Sequence, residues 1–374
     1  MRKLTGGKTR YVALDGLRAV AALAVLYLHE LGSFFARGSW LPPGLAVDFF
    51  FMLSGFVLAH VYGQKLDHGL GWRRYMAARV IRLYPMLFLG TVLGGLLAIA
   101  KHTHGHGGPH ENIATFIASL FLAPVGLFYV AKDYPYDSPN VFLFNGILWS
   151  LFFAVVASAV YGTRIRKLRT GLLITCFILC CVAWVAASIW AGSVAHLGRH
   201  GLIGFLGGFP RVAVPFAIGA ALYHLRTFKR FPAVPFAVPA FVLLTLLIVP
   251  IGDHWMSDLV YIFFAFPLLI CIGAQSPGDP ICAWMGRLSY PLYVIQLPLS
   301  GAVEYAVKKE LTHQPALIIA ASMLSCIMFA WIALVFFDEP VRRQLGRLPG
   351  HRPNGLVLSK WKSRYAPSIT PTSL

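Results

Sequence analysis

Apolar runs of membrane-spanning length recur ten times in this chain of 374 residues, at roughly 12–35, 45–61, 84–100, 141–161, 171–192, 202–224, 233–251, 257–274, 289–308 and 315–337. In hydrocarbon each backbone N–H and C=O must be satisfied within the protein, and runs of this length do so as α-helices. Composition agrees, with 57% apolar and only 12% charged residues, against about 25% charged in a typical soluble domain. The sequence specifies an all-α polytopic membrane protein with about ten transmembrane helices.

The basic residues set how the chain is threaded. An eleventh stretch, IATFIASLFLAPVGLFYV (113–130), is apolar enough to span but carries Pro124 and Gly126. If it crossed, the basic loop TRIRKLR (163–169) would face outward, against the bias of Lys and Arg toward cytoplasmic loops. With ten crossings, 24 of the 32 Lys and Arg fall in inner segments, 6 in outer segments, and Arg18 and Arg211 lie within spans. Both termini are then expected in the cytoplasm, and 113–130 becomes a re-entrant or interfacial segment. Such backbone is tolerated at membrane depth only beside protein or a water-filled cavity, so an outer-facing cavity near residues 101–148 is expected. The net charge of +18 reads as topology, since no aromatic-basic nucleic-acid module is present.

The first span, YVALDGLRAVAALAVLYLHELGSFF, contains Asp15, Arg18 and His29. A charge near the bilayer centre costs roughly 2.5–3.5 kcal/mol on insertion scales, so these groups should face a protein or aqueous interior. Arg18 and His29 are eleven residues apart and share one helix face, about 16 Å apart along the axis. Asp15, three residues before Arg18, is spaced to pair with it. That geometry suits a long ligand that enters from one side and reacts deeper. Asp48, at the start of the second span and at the same level as His29, is placed to orient the imidazole.

Arg73, Arg74, Arg79 and Arg82 form a dense cluster just before Pro85; guanidinium groups clamp phosphates in bidentate geometry and also anchor a chain against anionic lipid. Asn145, Trp149 and Ser150 put an aromatic ring beside small polar groups, a combination suited to a sugar ring. Arg211 lies within an apolar segment and needs a partner. The loop KHTHGHGGPHE offers His102, His104, His106 and His110, but without helical spacing no metal site is expected there. The six cysteines show no CxxC or zinc spacing. Residues 344–374 are basic and Pro-rich and are expected to form a disordered cytoplasmic tail after a membrane domain spanning 1–343.

Taken in order, LDGLRAVAALAVLYLH, VDFFFMLSGFVL, RVIRLYP, NGILWSL, FAIGAALYHLR, GRLSYPLYVI and FDEPVRR resemble the integral-membrane acyltransferase-3 family, also described as the O-acetyltransferase or nodulation-type family. The resemblance covers about residues 11–343. It implies transfer of an acyl group, most often acetyl, from cytoplasmic acyl-CoA to a hydroxyl of an outward-facing glycan or lipid-linked sugar, in a bacterial inner membrane. No bound cofactor is implied, since acetyl-CoA is the donor substrate. Carried over by position, His29 is the catalytic base and Arg18 helps hold the donor or the active geometry; Asp15 and Asp48 join them as catalytic candidates from their spacing and depth alone. Arg79 and Arg82 match the family's paired arginines that bind the donor, joined by Arg73 and Arg74. Asn145, Trp149, Ser150, Arg211 and Tyr290 are the expected acceptor residues.

Two positions depart from the pattern. Ala154 stands where related sequences commonly carry Glu, and Gln296 where His commonly follows the SYPLY segment. Alanine can neither ionise nor accept a hydrogen bond through its side chain, which leaves a disabled acyltransferase as one alternative. A proton-linked transporter or flippase for a sugar or lipid is another, because intramembrane charges by themselves serve either class.

Overall fold

The computed structural model describes residues 10–34, 44–103, 112–129, 140–249, 255–307 and 314–347. Among the described residues eleven helices follow one another: α1 (Val12–Phe34), α2 (Gly44–Asp67), α3 (Trp72–Thr103), α4 (Ile113–Leu120), α5 (Leu148–Gly162), α6 (Thr170–Ala191), α7 (Gly201–His224), α8 (Ala237–Ile248), α9 (Trp255–Gln275), α10 (Pro280–Val307) and α11 (Ala316–Leu345). Seven of them, α1, α2, α3, α6, α7, α9 and α11, are long and apolar enough to cross a membrane, and α5 and α8 are apolar but shorter. The protein is a multi-pass membrane protein, and each of the ten expected spans corresponds to a helix of the bundle.

The 113–130 stretch does not cross. Its helix α4 has 8 residues, a length of about 12 Å. Asn112 caps it by accepting from the amides of Ala114 and Thr115, and a 3-10 turn follows at Val125–Tyr129. The Gly126 amide then donates to the Val141 carbonyl at 2.9 Å, which folds the segment back onto the bundle.

Helix α2 forms the centre. Apolar residues occur all around it, and buried positions from Gly44 to Leu66 occupy every face, as expected of a helix enclosed by neighbours. It lies directly against α7. A Cβ at Gly55 would overlap the Phe216 carbonyl, and one at Gly219 would overlap the Met52 carbonyl. Small residues let the two backbones touch where lipid supplies no hydrophobic drive for association. Helix α6 is peripheral: Leu172, Ile174, Ile178, Leu179 and Val182 are each at least half exposed and face lipid.

Helix α3 begins twelve residues before the expected span, so Arg73, Arg74, Arg79 and Arg82 lie on its first three turns rather than in a loop. Pro85 is accommodated within it as a buried residue. Conversely, the first seven residues of the expected span 141–161 are irregular and pair with the α6–α7 connection through a bridge between Asn140 and His200.

Candidate active site

At the end of the bundle where α1, α3 and α10 begin, here the basic end, Arg18 reaches from α1 to α10. Its Nε donates to Ser289 Oγ at 2.8 Å and its Nη2 to the Gly286 carbonyl. Asp15 lies 3.2 Å from Arg18 and 2.8 Å from Arg10, so the expected pair forms and is extended by a second cation. A cavity of about 140 Å³ opens beside this network, lined by Arg18, Arg79, Arg82, Ser289 and Tyr290, and further in by Ser150, Ala154 and Tyr293.

Arg79 is 9% exposed, and its Nε has no hydrogen-bond partner among the described residues. Neither Arg79 nor Arg82 forms an ion pair among those residues. A buried guanidinium without a carboxylate is costly, and here it borders a cavity. Arg73 and Arg74 lie on the exposed first turn of α3 and are absent from the lining. The four arginines therefore divide into an inner pair at the cavity and an outer pair in the surface layer.

Nearer the opposite end, Asp48 and Arg211 are both fully buried. Arg211 Nε donates to Asp48 Oδ1 at 3.0 Å and Nη2 to Oδ2 at 2.9 Å. Two of its three remaining hydrogens go to the Leu197 carbonyl at 2.7 Å, from Nη1, and the Gly44 carbonyl at 3.0 Å, from Nη2. The guanidinium lies 4.9 Å from the centroid of Trp149. Gly198, with φ of +98°, packs on the same indole so closely that a Cβ would stand 2.6 Å from it.

These contacts revise three expectations. Asp48 gives both oxygens to Arg211 rather than serving the His29 imidazole. Arg211 is committed to Asp48 and two carbonyls rather than facing an acceptor, and Trp149, 4% exposed, stacks on a protein cation instead of a sugar.

Asn145 is similarly committed. Its Nδ2 donates to the Val294 carbonyl at 2.9 Å, and the residue four positions on, Pro298, has no N–H to serve that carbonyl. The amide side chain replaces the missing helical bond. Tyr290, grouped by sequence with the acceptor, donates to the Leu83 carbonyl at 2.5 Å and lines the cavity beside Arg79 and Arg82, which puts it at the donor end. Ser150 does reach the cavity, and its Oγ lies 2.7 Å from the Tyr293 hydroxyl. The cavity itself runs from the basic end to mid-bundle, and none of the described residues between 101 and 148 lines it.

His29 sits two turns beyond the middle of α1, half-buried, within electrostatic reach of Arg199. Arg199 belongs to the α6–α7 connection; its carbonyl accepts from the Val141 amide at 2.9 Å. Burial, and next the charge of Arg211, pull the Arg199 guanidinium down to about 10, against the influence of Tyr293, so it stays protonated at neutral pH. Of the expected histidine cluster, His104, His106 and His110 lie outside the described residues, as do residues 348–374 of the tail.

Three residues of the site were not singled out by sequence: Ser289, Tyr293 and Arg199. The first two were legible in principle, because Ser289, Tyr290 and Tyr293 recur at helical spacing on one face of α10. Arg199 carries no such signal, since only the folded connection brings it inward. Both departures from the family pattern are internal: Ala154 lines the cavity one turn from Ser150, and Gln296 is fully buried with neither amide atom hydrogen-bonded among the described residues.

Comparison with known proteins adds a family match and several relatives. The acyltransferase-3 model, described as "Acyltransferase domain", matches residues 11–335. "Protein 2 in picA locus" of Rhizobium radiobacter is 34% identical over 174 residues, covering 44% of this chain and 89% of that protein. A "Putative O-acetyltransferase" of Staphylococcus aureus strain MRSA252 is 25% identical, covering 97% of this chain and 61% of its own. A "Putative peptidoglycan O-acetyltransferase" of Bacillus subtilis strain 168 is 25% identical, covering 95% and 58%. The chain thus spans about three-fifths of the length of these two relatives. No solved structure matches.

Proposed function

Because the chain belongs to the acyltransferase-3 family, we propose that it moves an acetyl group from cytoplasmic acetyl-CoA to a hydroxyl of an outward-facing glycan or lipid-linked sugar, in a bacterial inner membrane with both termini cytoplasmic. The observation that carries this reading is Arg79, a buried cation with no ion pair among the described residues, beside Arg82 on a cavity that opens at the basic end. Two guanidinium groups one turn apart fit the phosphates of a CoA-type donor. Arg18, fixed by Ser289 and Gly286, would border the pantetheine arm, and the thioester would lie toward Ser150 and Tyr293.

The acceptor hydroxyl would approach from the opposite face. His29, with a reference pKa near 6.5, would take its proton as the oxygen attacks the thioester carbonyl. Asp48 and Arg211 hold α2 and α7 together beside this region and act as scaffold. The names of the Staphylococcus aureus and Bacillus subtilis relatives favour O-acetylation, and the latter names peptidoglycan as a candidate acceptor.

The test is replacement of His29 by Ala, with folding confirmed in detergent and transfer of labelled acetyl to glycan measured. Transfer is expected to fall by about 10²-fold or more; undiminished transfer removes His29 from the mechanism. A second reading, a weakened acyltransferase, is favoured by Ala154 on the cavity wall and by the Gln296 amide, which has no partner among the described residues. Restoring Glu at Ala154 discriminates: a large gain in turnover identifies a disabled form.

A further inference from the structure

Attack on a thioester places negative charge on the carbonyl oxygen, and a hydrogen-bond donor fixed in advance at that position is a large contributor to rate. Toward mid-bundle the described cavity lining is mainly apolar; its polar groups there are the hydroxyl of Ser54 and those of Ser150 and Tyr293, and the last two lie 2.7 Å apart. Ser150 has a single hydroxyl hydrogen, which the Ile147 carbonyl accepts at 2.9 Å. Tyr293 is therefore the donor in the pair. Its phenol hydrogen can be redirected by rotation about the C–O bond while the ring stays in place. The ring is held: Tyr293 is 7% exposed, and Phe50 meets it edge-on at 5.3 Å.

The surrounding charge suits an anion. Arg211 and Asp48 act on Tyr293 with opposite signs and are paired with each other, which leaves the positive charge of Arg199 as the net influence. Arg199 also acts on His29, so one cation lies within reach of both the general base and the phenol.

Resting on the acyl-transfer reading above, we propose that Tyr293 is a further catalytic residue whose hydroxyl donates to the thioester carbonyl oxygen as it becomes an oxyanion. The acceptor oxygen bonds to the carbonyl carbon, its proton passes to His29, and the carbonyl electron pair moves onto the oxygen facing Tyr293. When that pair returns, the C–S bond breaks, and the departing thiolate receives the proton from the His29 imidazolium. Acetyl-CoA and an alcohol become an O-acetyl ester and free CoA thiol. Ser150 keeps the phenol in register and is a positioning residue.

The experiment compares Tyr293→Phe, Ser150→Ala and His29→Ala in detergent-purified protein, measuring kcat and KM for acetyl-CoA together with the unfolding midpoint. Tyr293→Phe is expected to lower kcat by about 10²-fold, with KM for acetyl-CoA within about twofold and an unfolding midpoint close to that of the parent. Ser150→Ala should lose much less, because the phenol keeps its hydrogen. Equal losses for the two variants would reduce the pair to a helix staple and overturn the proposal, as would an unchanged kcat in Tyr293→Phe. Loss of transfer in His29→Ala beside full turnover in Tyr293→Phe would overturn only the role of Tyr293; full turnover in His29→Ala would instead strike the underlying mechanism.

Discussion

Two sets of arginines lie inside the bundle and are treated in opposite ways. Arg211 has a bidentate carboxylate, two carbonyls and an indole face, and is inaccessible. Arg79, nearly as buried, has an Nε with no partner among the described residues and borders a cavity shared with Arg82 and Arg18. A fully satisfied buried pair adds little net stability but is expensive to break. A buried cation left without a carboxylate is unfavourable unless something else supplies negative charge. The first arrangement is what a scaffold needs, and the second is what an anionic ligand needs. Depth in the membrane therefore does not separate structural from functional charges here; hydrogen-bond saturation does.

The contrast can be broken most forcefully at Asp48. Asp48→Ala leaves Arg211 buried without its carboxylate and should cost about 3–5 kcal/mol of stability, read as a fall in the unfolding midpoint in detergent; an unchanged midpoint would show that the pair is not structural. Arg79→Met should behave in reverse. Loss of a charge-assisted contact worth about 1.5–3 kcal/mol predicts about 10- to 150-fold weaker CoA binding by calorimetry, with stability unchanged or raised, whereas unaltered affinity would return Arg79 to a topological role. Trp149→Leu removes the cation–π contact and should lower stability by about 1–2 kcal/mol without altering CoA affinity. The smallest effect is expected at the exposed arginines: the double variant Arg73→Gln/Arg74→Gln should change CoA affinity by less than about threefold at 0.15 M salt, where surface charges are screened. A loss matching that of Arg79→Met would merge the two pairs into one site.

Much of the architecture was legible because hydropathy reports burial in lipid directly. The rule that basic loops stay on one side correctly removed 113–130 from the list of crossings, and α4 is indeed too short to span. The start of α3 was missed because Arg73, Arg74, Arg79 and Arg82 depress hydropathy without interrupting the helix. In the site, Asp15 with Arg18 could be read from spacing alone, being three residues apart on one helix. The partner of Asp48 could not, since Arg211 is 163 residues away and becomes its neighbour only through the glycine contact of α2 with α7. Asn145 was read as a ligand group because nothing local reveals that Pro298 leaves the Val294 carbonyl in need of a donor.

The central claim is that the donor enters at the Arg79 end and the product appears on the other side. Labelled acetyl-CoA should be supplied to inside-out and right-side-out vesicles containing the protein and an acceptor glycan placed on the face opposite the donor. The account predicts labelled glycan only when acetyl-CoA is on the face that carries Arg73 and Arg74, and loss of that label in Arg79→Met. Labelling with acetyl-CoA confined to the opposite face would contradict it.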